Sequence, residues 1–360
     1  MIPISIPKLH KKEKTLAIKA IKQGNIAHGE YIEKFEKKFS KFCNKGYGVT
    51  CSNGTTALYI AIKALQLPKG SEVILPSMTI LSCLTAVTEN DLVPVFCDID
   101  PVTLNVDFVS LRKKINDNTS AIIVVNTYGL VVNGDFIADI KKDYPKIKIV
   151  EDASESHGGR YKDQIAGSIG DISTFSFYAN KIITTGEGGM VLTDDEDVYN
   201  RLLKLRNLNF TDRKKYIHSD IGFNFRMTNV QCALGIGQLE NIEKTIRERR
   251  RVAKKYNHYF ENNSYITIPF EDESYYNVYW YYTIRVHKNY EMVIEKLQEN
   301  KIDYRHFFYP LHKQTFINSK EKLKNSEEAF STGIILPTFS ELSSKQIRFI
   351  SETILNAIGN

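Results

Sequence analysis

The sequence has no long apolar run and few cysteines, and both absences narrow the class of protein. No stretch approaches the roughly 20 apolar residues that cross a bilayer, and the first eight residues lack the apolar core of a signal peptide. The 5 cysteines are odd in number and scattered, with no Cys-x-x-Cys pair, so neither a disulfide framework nor a metal site is indicated. We expect a soluble cytoplasmic protein with no membrane partner and no metal ion.

The sequence also lacks an excess of one charge. Its 48 basic and 42 acidic residues give a net charge of +6, and the basic residues are spread along the whole chain. This distribution shows no stripe for binding nucleic acid, and it suits a small anionic ligand such as a nucleotide better. With 360 residues, 42% of them hydrophobic, the chain can form a sizeable core and two domains.

A dinucleotide-binding fingerprint is missing as well. No Gly-x-Gly-x-x-Gly opens a strand-to-helix turn, and the pair Gly235 and Gly237 is followed by Glu240 where a third glycine would stand. An oxidoreductase of the dinucleotide-binding class is therefore disfavoured.

What is present is an alternation of strand and helix patterns between residues 47 and 195. The apolar runs predicted as strands are 71–76, 92–97, 121–125 and 147–150. This alternation predicts an α/β fold with a mainly parallel sheet wrapped by helices. Beyond residue 229 a long charged helix, two strand patterns and another helix predict a smaller α+β domain, so we expect domains at 1–240 and 241–360. The arginine-rich segment 247–251 on the long helix is interpreted as a solvated face rather than an anion site.

Three local motifs carry the chemistry. The first is a small-residue turn at 52–58 that contains Gly54, Thr55 and Thr56 and opens a helix. The N–H groups and dipole of a helix N-terminus bind phosphate, and the two hydroxyls add donors. The alternative is an ordinary N-cap with a glycine turn.

The second motif is a group of acids after the apolar run 147–150. Ligands collect at the carboxyl ends of parallel strands, and a carboxylate there can keep a ring nitrogen protonated. The alternative is an acid that caps the next helix.

The third motif is Lys181, which lies between aromatic and apolar residues just before the glycine-dense turn 186–189. Desolvation would lower the pKa of its amine and free it as a nucleophile. The alternative is an exposed lysine beside a tight hairpin. Taken together, the three motifs match the phosphate, ring nitrogen and aldehyde of pyridoxal phosphate.

The sequence resembles the DegT/DnrJ/EryC1/StrS family of pyridoxal-phosphate-dependent nucleotide-sugar aminotransferases. The resemblance extends from about Ile4 to Pro337 and rests on the blocks 52–58, 76–79, 151–155, 175–177, 180–190 and 222–229. It implies a fold-type I architecture, with a mainly parallel seven-stranded sheet in the large domain and a smaller α+β domain at the C-terminus.

The resemblance also implies roles for particular residues. Lys181 matches the lysine that carries the cofactor as a Schiff base and moves the proton; family members that dehydrate sugars have histidine there. Asp152 matches the carboxylate that faces the ring nitrogen, and Glu155 a contact to the ring hydroxyl. The phosphate contacts match Thr55, Thr56 and Ser176 in the chain itself, and Asn224 donated by the partner in a homodimer.

The implied reaction takes an amino group from L-glutamate and transfers it to a nucleotide-linked ketosugar. The block 307–312 resembles the subgroup of the family that makes GDP-perosamine from GDP-4-keto-6-deoxy-D-mannose. A dTDP- or UDP-linked ketosugar, aminated at C3 or C4, is the alternative substrate, and a non-catalytic protein that binds pyridoxal phosphate is the alternative class.

Four residues are candidates for contacts with the sugar nucleotide: Arg226, His306, Tyr309 and His312. The family often has an aromatic residue stacked on the cofactor ring where this chain has Ile80.

Overall fold

A computed structural model describes residues 1–359, and its core is one seven-stranded sheet. The strands of this sheet are β1 Tyr47–Cys51, β2 Glu72–Pro76, β3 Val93–Cys97, β4 Thr119–Val125, β5 Lys148–Asp152, β8 Ile172–Ser176 and β9 Gly189–Thr193. Their order is β1-β9-β8-β5-β4-β2-β3. All neighbouring strands are parallel except those next to β9, which is antiparallel to both β1 and β8. The predicted α/β fold with a mainly parallel sheet is confirmed.

Twelve helices accompany the sheets within the described residues. They are α1 Lys11–Lys22, α2 Glu30–Phe42, α3 Gly54–Ala64, α4 Leu81–Thr88, α5 Phe108–Lys114, α6 Gly134–Asp143, α7 Glu196–Arg206, α8 Asn229–Glu240, α9 Ile242–Phe260, α10 Tyr290–Glu299, α11 Lys324–Thr332 and α12 Ser344–Ile358. Gly235 and Gly237 lie inside α8, and no phosphate-binding turn forms there. None of the helices within residues 1–359 combines the length and apolar character needed to span a membrane.

Strand β4 shows why the sheet is covered on both faces. Ile122 and Val124 pack into one apolar core, and Ile123 and Val125 pack into another. Successive side chains of a strand point to opposite faces, so an uninterrupted apolar run places hydrophobic surface on both sides of the sheet.

The C-terminal part of the chain forms a second, antiparallel sheet. Its strands are β12 Ile266–Thr267, β14 Tyr282–Val286, β15 Arg305–His306 and β16 Gly333–Leu336, in the order β12-β14-β16-β15. A third apolar core lies between this sheet and the helices α9, α10 and α12. The first residues of the chain also contact this unit, since Ile2 bridges to Ile302. The expected domain division at residue 240 stays a prediction.

Three short pairings complete the strands. Strand β6 Arg160–Tyr161 pairs with both β7 Gln164–Ile165 and β13 Tyr275–Tyr276. Strands β10 Phe210–Asp212 and β11 Ile217–His218 form a hairpin.

The arginine segment of α9 is not the solvated face that we expected. Arg249 is buried and donates to the backbone carbonyl oxygens of Trp280 at 2.6 Å and Thr338 at 3.1 Å. Burial lowers the pKa of its guanidinium to about 10. The interpretation was wrong for this residue because sequence spacing does not show which loops fold over a helix.

Candidate active site

A cavity of about 630 Å³ lies at the carboxyl ends of the parallel strands. Strand β5 ends there at Asp152 and β8 ends there at Ser176. The C-terminal unit closes the opposite side with five residues: Trp280, Tyr281, Arg305, His306 and Phe308. The position is the one at which open α/β sheets bind ligands.

The Lys181 side chain lines this cavity, and 10% of it is exposed. Its Nζ is 3.9 Å from Oε1 of Glu155 and 3.6 Å from the centroid of the Trp280 ring. Burial lowers the pKa of the amine, which the charges of Glu155 and Asp152 partly offset. This shift makes the neutral, nucleophilic form of the amine easier to reach than in an exposed lysine.

Glu155 is the acid nearest to this amine. Its Oε2 accepts a hydrogen bond of 2.7 Å from the backbone N–H of Tyr128. Burial raises the pKa of the carboxyl to about 7, against the opposing effect of Lys181. Glu155 therefore changes its protonation state near neutral pH, beside the lysine nitrogen.

Asp152 supplies the carboxylate at the end of β5. Its Oδ1 accepts the backbone N–H of Ser154 at 3.1 Å, and its Oδ2 lies 3.5 Å from the thiol sulfur of Cys83. The side chain is buried and lines the cavity. A carboxylate held in this way can pair with a protonated ring nitrogen.

The N-terminus of α3 forms the third side of the cavity. Asn53 caps the helix by accepting the N–H of Thr56, and the Thr56 hydroxyl donates to the Asn53 carbonyl. Gly54 packs against Ser176, where a Cβ on Gly54 would lie 2.8 Å from the Ser176 Cβ. Thr55 lines the cavity, and its hydroxyl is 2.7 Å from that of Ser82. The cap uses the Thr56 N–H, and the N–H groups of Gly54 and Thr55 at the start of the helix remain for a phosphate.

These groups fit pyridoxal phosphate. A helix N-terminus, a buried carboxylate and a desolvated lysine amine surround one cavity, and they suit the phosphate, ring nitrogen and aldehyde of the cofactor. Ile80 also lines the cavity and is 43% exposed, so its aliphatic side chain is open to a bound ring.

The other predicted site residues are dispersed. His306 lines the cavity, whereas Tyr309 is exposed with its ring edge-on to Phe330. Arg226 donates to the side chain of Asn207, and Asn224 is exposed on the segment that follows the β10–β11 hairpin. None of Tyr309, Arg226 and Asn224 lines the cavity of its own chain.

His312 is a structural residue in this fold. Its ring is buried between the hydroxyl of Ser77, at 2.6 Å, and the carboxylate of Glu327, at 3.1 Å. It does not line the cavity.

Sequence reasoning missed the aromatic wall of the site. Trp280 is the only tryptophan of the chain and lies in the aromatic run 278–282, which was read as a strand of the C-terminal domain. Its ring covers the Lys181 amine, and its indole N–H donates to the Asn180 carbonyl at 3.1 Å. Arg305 and Phe308 also line the cavity without having been predicted. The one tryptophan of the chain, placed within an aromatic run, was the sequence signal from which this part of the site could have been predicted.

A parallel α/β sheet with these three groups at one edge defines an enzyme of the pyridoxal phosphate class. The family model described as "DegT/DnrJ/EryC1/StrS aminotransferase family" matches residues 7–355, so the chain belongs to this family. The predicted family, aminotransferase class and cofactor, pyridoxal phosphate, are confirmed.

Individual relatives cover nearly the whole chain. A protein of Escherichia coli O157:H7 named GDP-perosamine synthase is 36% identical over 357 residues, which are 98% of this chain and 97% of that protein. A protein of the same name from Caulobacter vibrioides is 34% identical over 354 residues, 96% of this chain and 95% of that protein. The solved structure of E coli GDP-4-keto-6-deoxy-D-mannose-3-dehydratase with bound hydrated PLP has a TM-score of 0.92 at 26% identity, with 99% of each chain covered.

Proposed function

We propose that this chain transfers an amino group from L-glutamate to GDP-4-keto-6-deoxy-D-mannose and so forms GDP-perosamine. The observation that carries the proposal is the Lys181 amine, buried beside Glu155 and under the Trp280 ring in a cavity that also contains Asp152. The choice of sugar nucleotide is supported by the two relatives named GDP-perosamine synthase.

In this proposal the chain's own residues bind the cofactor and move the proton. When bound, pyridoxal phosphate supplies an aldehyde that takes up the amino group and a ring that withdraws electrons. Asp152 holds the ring nitrogen protonated, and Gly54, Thr55, Thr56 and Ser176 are proposed to bind the phosphate.

Lys181 has two tasks in the same proposal. It holds the cofactor between turnovers, and its neutral amine then moves the proton that completes each half of the transfer. Glu155, whose Oε1 lies 3.9 Å from this amine, would contact the ring hydroxyl of the bound cofactor and exchange a proton with the amine. A lysine at this position, where dehydrating members of the family have histidine, supports transamination.

We propose that the active unit is a homodimer. Asn224 is exposed and does not line the cavity of its own chain. In the proposed dimer Asn224 from a second copy reaches the phosphate, and each cavity is complete only when two chains associate.

The sugar nucleotide is proposed to enter past the segment 305–308. Arg305 and His306 line the cavity on the side of the C-terminal unit, and the Arg305 side chain is 59% exposed. A basic side chain at the mouth suits a diphosphate. Arg226 and Tyr309 lie outside this cavity and are proposed to meet the nucleotide only in the dimer.

The division of the chain is a proposal as well. We propose a large cofactor-binding domain at 1–240 and a smaller α+β domain at 241–360. Helix α9 then joins the two, because Ile246 packs into a core of the large sheet and Val252 packs into the core of the small one.

The substrate is tested with a panel of GDP-, dTDP- and UDP-linked ketosugars, each assayed with glutamate. We expect turnover of GDP-4-keto-6-deoxy-D-mannose, with the amino group at C4 of the product by NMR. Turnover of dTDP- or UDP-sugars alone would disprove the choice of nucleotide while leaving the aminotransferase class intact.

A non-catalytic protein that binds the cofactor is the competing class. The spectrum distinguishes the two, because the lysine-bound cofactor absorbs visible light and glutamate bleaches it only in a working aminotransferase. We expect this absorbance in the wild type, its bleaching by glutamate, and no lysine-bound band in Lys181→Ala.

A further inference from the structure

Tyr128, in the turn that follows strand β4, contacts both Glu155 and the segment 305–308, which lie on two sides of the active site. Tyr128 is buried and lies outside the cavity, so it acts only through its neighbours. Its backbone is left-handed, with φ of 54° and ψ of 15°. A bulky residue rarely adopts this conformation, and such outliers cluster at functional sites.

One side of Tyr128 holds the acid of the site. Its backbone N–H donates to Oε2 of Glu155 at 2.7 Å, while Oε1 of the same carboxylate lies 3.9 Å from the Lys181 amine. The orientation of the Glu155 carboxylate relative to the lysine therefore depends on where the backbone N–H of Tyr128 points.

The other side of Tyr128 holds the segment that faces the substrate. Its hydroxyl accepts the backbone N–H of Phe308 at 3.1 Å, and the two rings stack at 5.4 Å with 8° between their planes. Burial and the charge of Glu155 raise the pKa of the phenol well above its usual value, so the hydroxyl stays neutral. Phe308 and its neighbours Arg305 and His306 line the cavity.

Neighbouring residues hold the turn itself in place. A Cβ on Gly129, whose φ is 108°, would lie 2.8 Å from the backbone nitrogen of Trp280. The Tyr128 ring also lies 6.4 Å from the ring of Trp280, which covers the Lys181 amine. The turn is thus packed against Trp280, the residue of the C-terminal unit whose ring covers the lysine amine.

We propose that Tyr128 is a positioning residue that sets Glu155 beside Lys181 through its backbone and sets residues 305–308 against the sugar nucleotide through its hydroxyl and ring. This inference rests on the proposed function, in which the segment 305–308 meets the sugar nucleotide, and it assigns that segment no contact with glutamate. The hydroxyl then serves only the sugar half of the reaction, and the backbone N–H serves both halves.

Tyr128→Phe separates these two tasks, because it removes the hydroxyl and keeps the ring and the backbone. We expect the KM for the ketosugar to rise by roughly tenfold, equivalent to about 1.4 kcal/mol, while the rate of the glutamate half-reaction stays within about twofold of wild type. The matched control is Tyr256→Phe, which also loses one buried hydroxyl bond, to the Pro337 carbonyl at 3.1 Å in the C-terminal core. A merely structural effect would appear in both variants.

A second measurement does not depend on turnover. In the cofactor-free protein, amide hydrogen exchange of Phe308 should be faster in Tyr128→Phe than in wild type and unchanged in Tyr256→Phe. Unchanged exchange at Phe308, an unchanged KM, or equal losses in both half-reactions would each overturn the role of Tyr128. A wild type that is inert on every ketosugar would instead overturn the proposed function, and the exchange at Phe308 would still decide whether the hydroxyl holds the segment.

Discussion

At the scale of single residues, the site depends on the balance between burial and charge at Glu155 and Lys181. Burial raises the pKa of the acid to about 7 and lowers the pKa of the amine, and each charge opposes the effect of burial on the other. Both shifts are toward the neutral forms and bring the two pKa values closer together. This lowers the free-energy cost of moving a proton between the two groups, which a proton transfer in each half-reaction requires.

Glu155→Gln should change the dependence of stability on pH. In the cofactor-free wild type the folded chain keeps the Glu155 proton up to a pH of about 7, whereas the unfolded chain releases it near 4.5. The stabilisation is therefore complete below 4.5 and is lost as the pH rises through about 7. Denaturant unfolding of both proteins between pH 4 and 8 should show this loss in wild type and not in the variant. Parallel curves would contradict the raised pKa.

Gly54→Ala tests the close contact at the start of α3. The added Cβ would lie 2.8 Å from the Ser176 Cβ, so the helix N-terminus must shift and the affinity for the cofactor should fall by roughly tenfold. Gly46→Ala is the control, because its Cβ would meet only ordinary contacts, the nearest at 3.6 Å. Titration with pyridoxal phosphate measures both affinities, and equal values would contradict the contact.

Site residues that belong to local sequence motifs were predictable. Site residues that reach the cavity only through tertiary contacts were not. Asp152 follows a strand pattern and Lys181 precedes a glycine-dense turn, both of which the sequence displays, and both residues line the cavity. Trp280 reaches Lys181 only because the C-terminal unit folds onto the sheet, which no local pattern encodes. For the same reason the sequence did not distinguish His306, which lines the cavity, from His312, which is buried beside Ser77.

At the scale of elements, the arginines of α9 bind this helix to loops of the C-terminal unit. Arg249 holds the carbonyl of Trp280, and Arg251 donates to the carbonyl oxygens of Ser340 and Leu342 at 3.0 and 3.2 Å. The helical spacing of this segment was predictable from sequence, as was the apolar run of β4. The partners of the arginines were not, because they are backbone atoms of distant loops.

Arg249→Lys should lower the free energy of unfolding by about 1–3 kcal/mol, because one ammonium cannot reproduce the guanidinium bonds to two buried carbonyls. Arg247→Lys, on the exposed face of the same helix, should change it by less than about 0.5 kcal/mol. Denaturant unfolding of the two variants gives the comparison. A similar effect in both would mean that charge, and not the buried bonds, sets the stability.

At the scale of the whole molecule, the proposed dimer divides the work between two chains. The cavity of one chain contains Lys181 and Asp152, while Asn224 is exposed outside it. Mixing inactive Lys181→Ala with weakened Asn224→Ala should therefore restore activity. Each mixed dimer has one site with both the lysine and a wild-type asparagine from the other chain.

The control for this mixing is a protein that carries both substitutions in one chain, mixed with Asn224→Ala. No site in that mixture contains an intact lysine and an intact asparagine together, so activity should stay at the level of Asn224→Ala or below. Absence of recovery in the first mixture, with dimers confirmed by light scattering, would place Asn224 outside the partner's site.

Two aromatic residues of the site, Trp280 and Phe308, lie in the last quarter of the sequence, and this position has a consequence for synthesis of the protein. Six residues complete a cavity whose other groups occur between residues 53 and 187, and they are Trp280, Tyr281, Arg305, His306, Phe308 and Ile335. We expect Lys181 of a growing chain on the ribosome to be exposed to solvent and to aldehydes in the cell until the last quarter of the chain has been translated. We expect stalled nascent chains that end before Trp280 to retain the cofactor less well than released protein, which fluorescence of reduced, lysine-linked cofactor would measure.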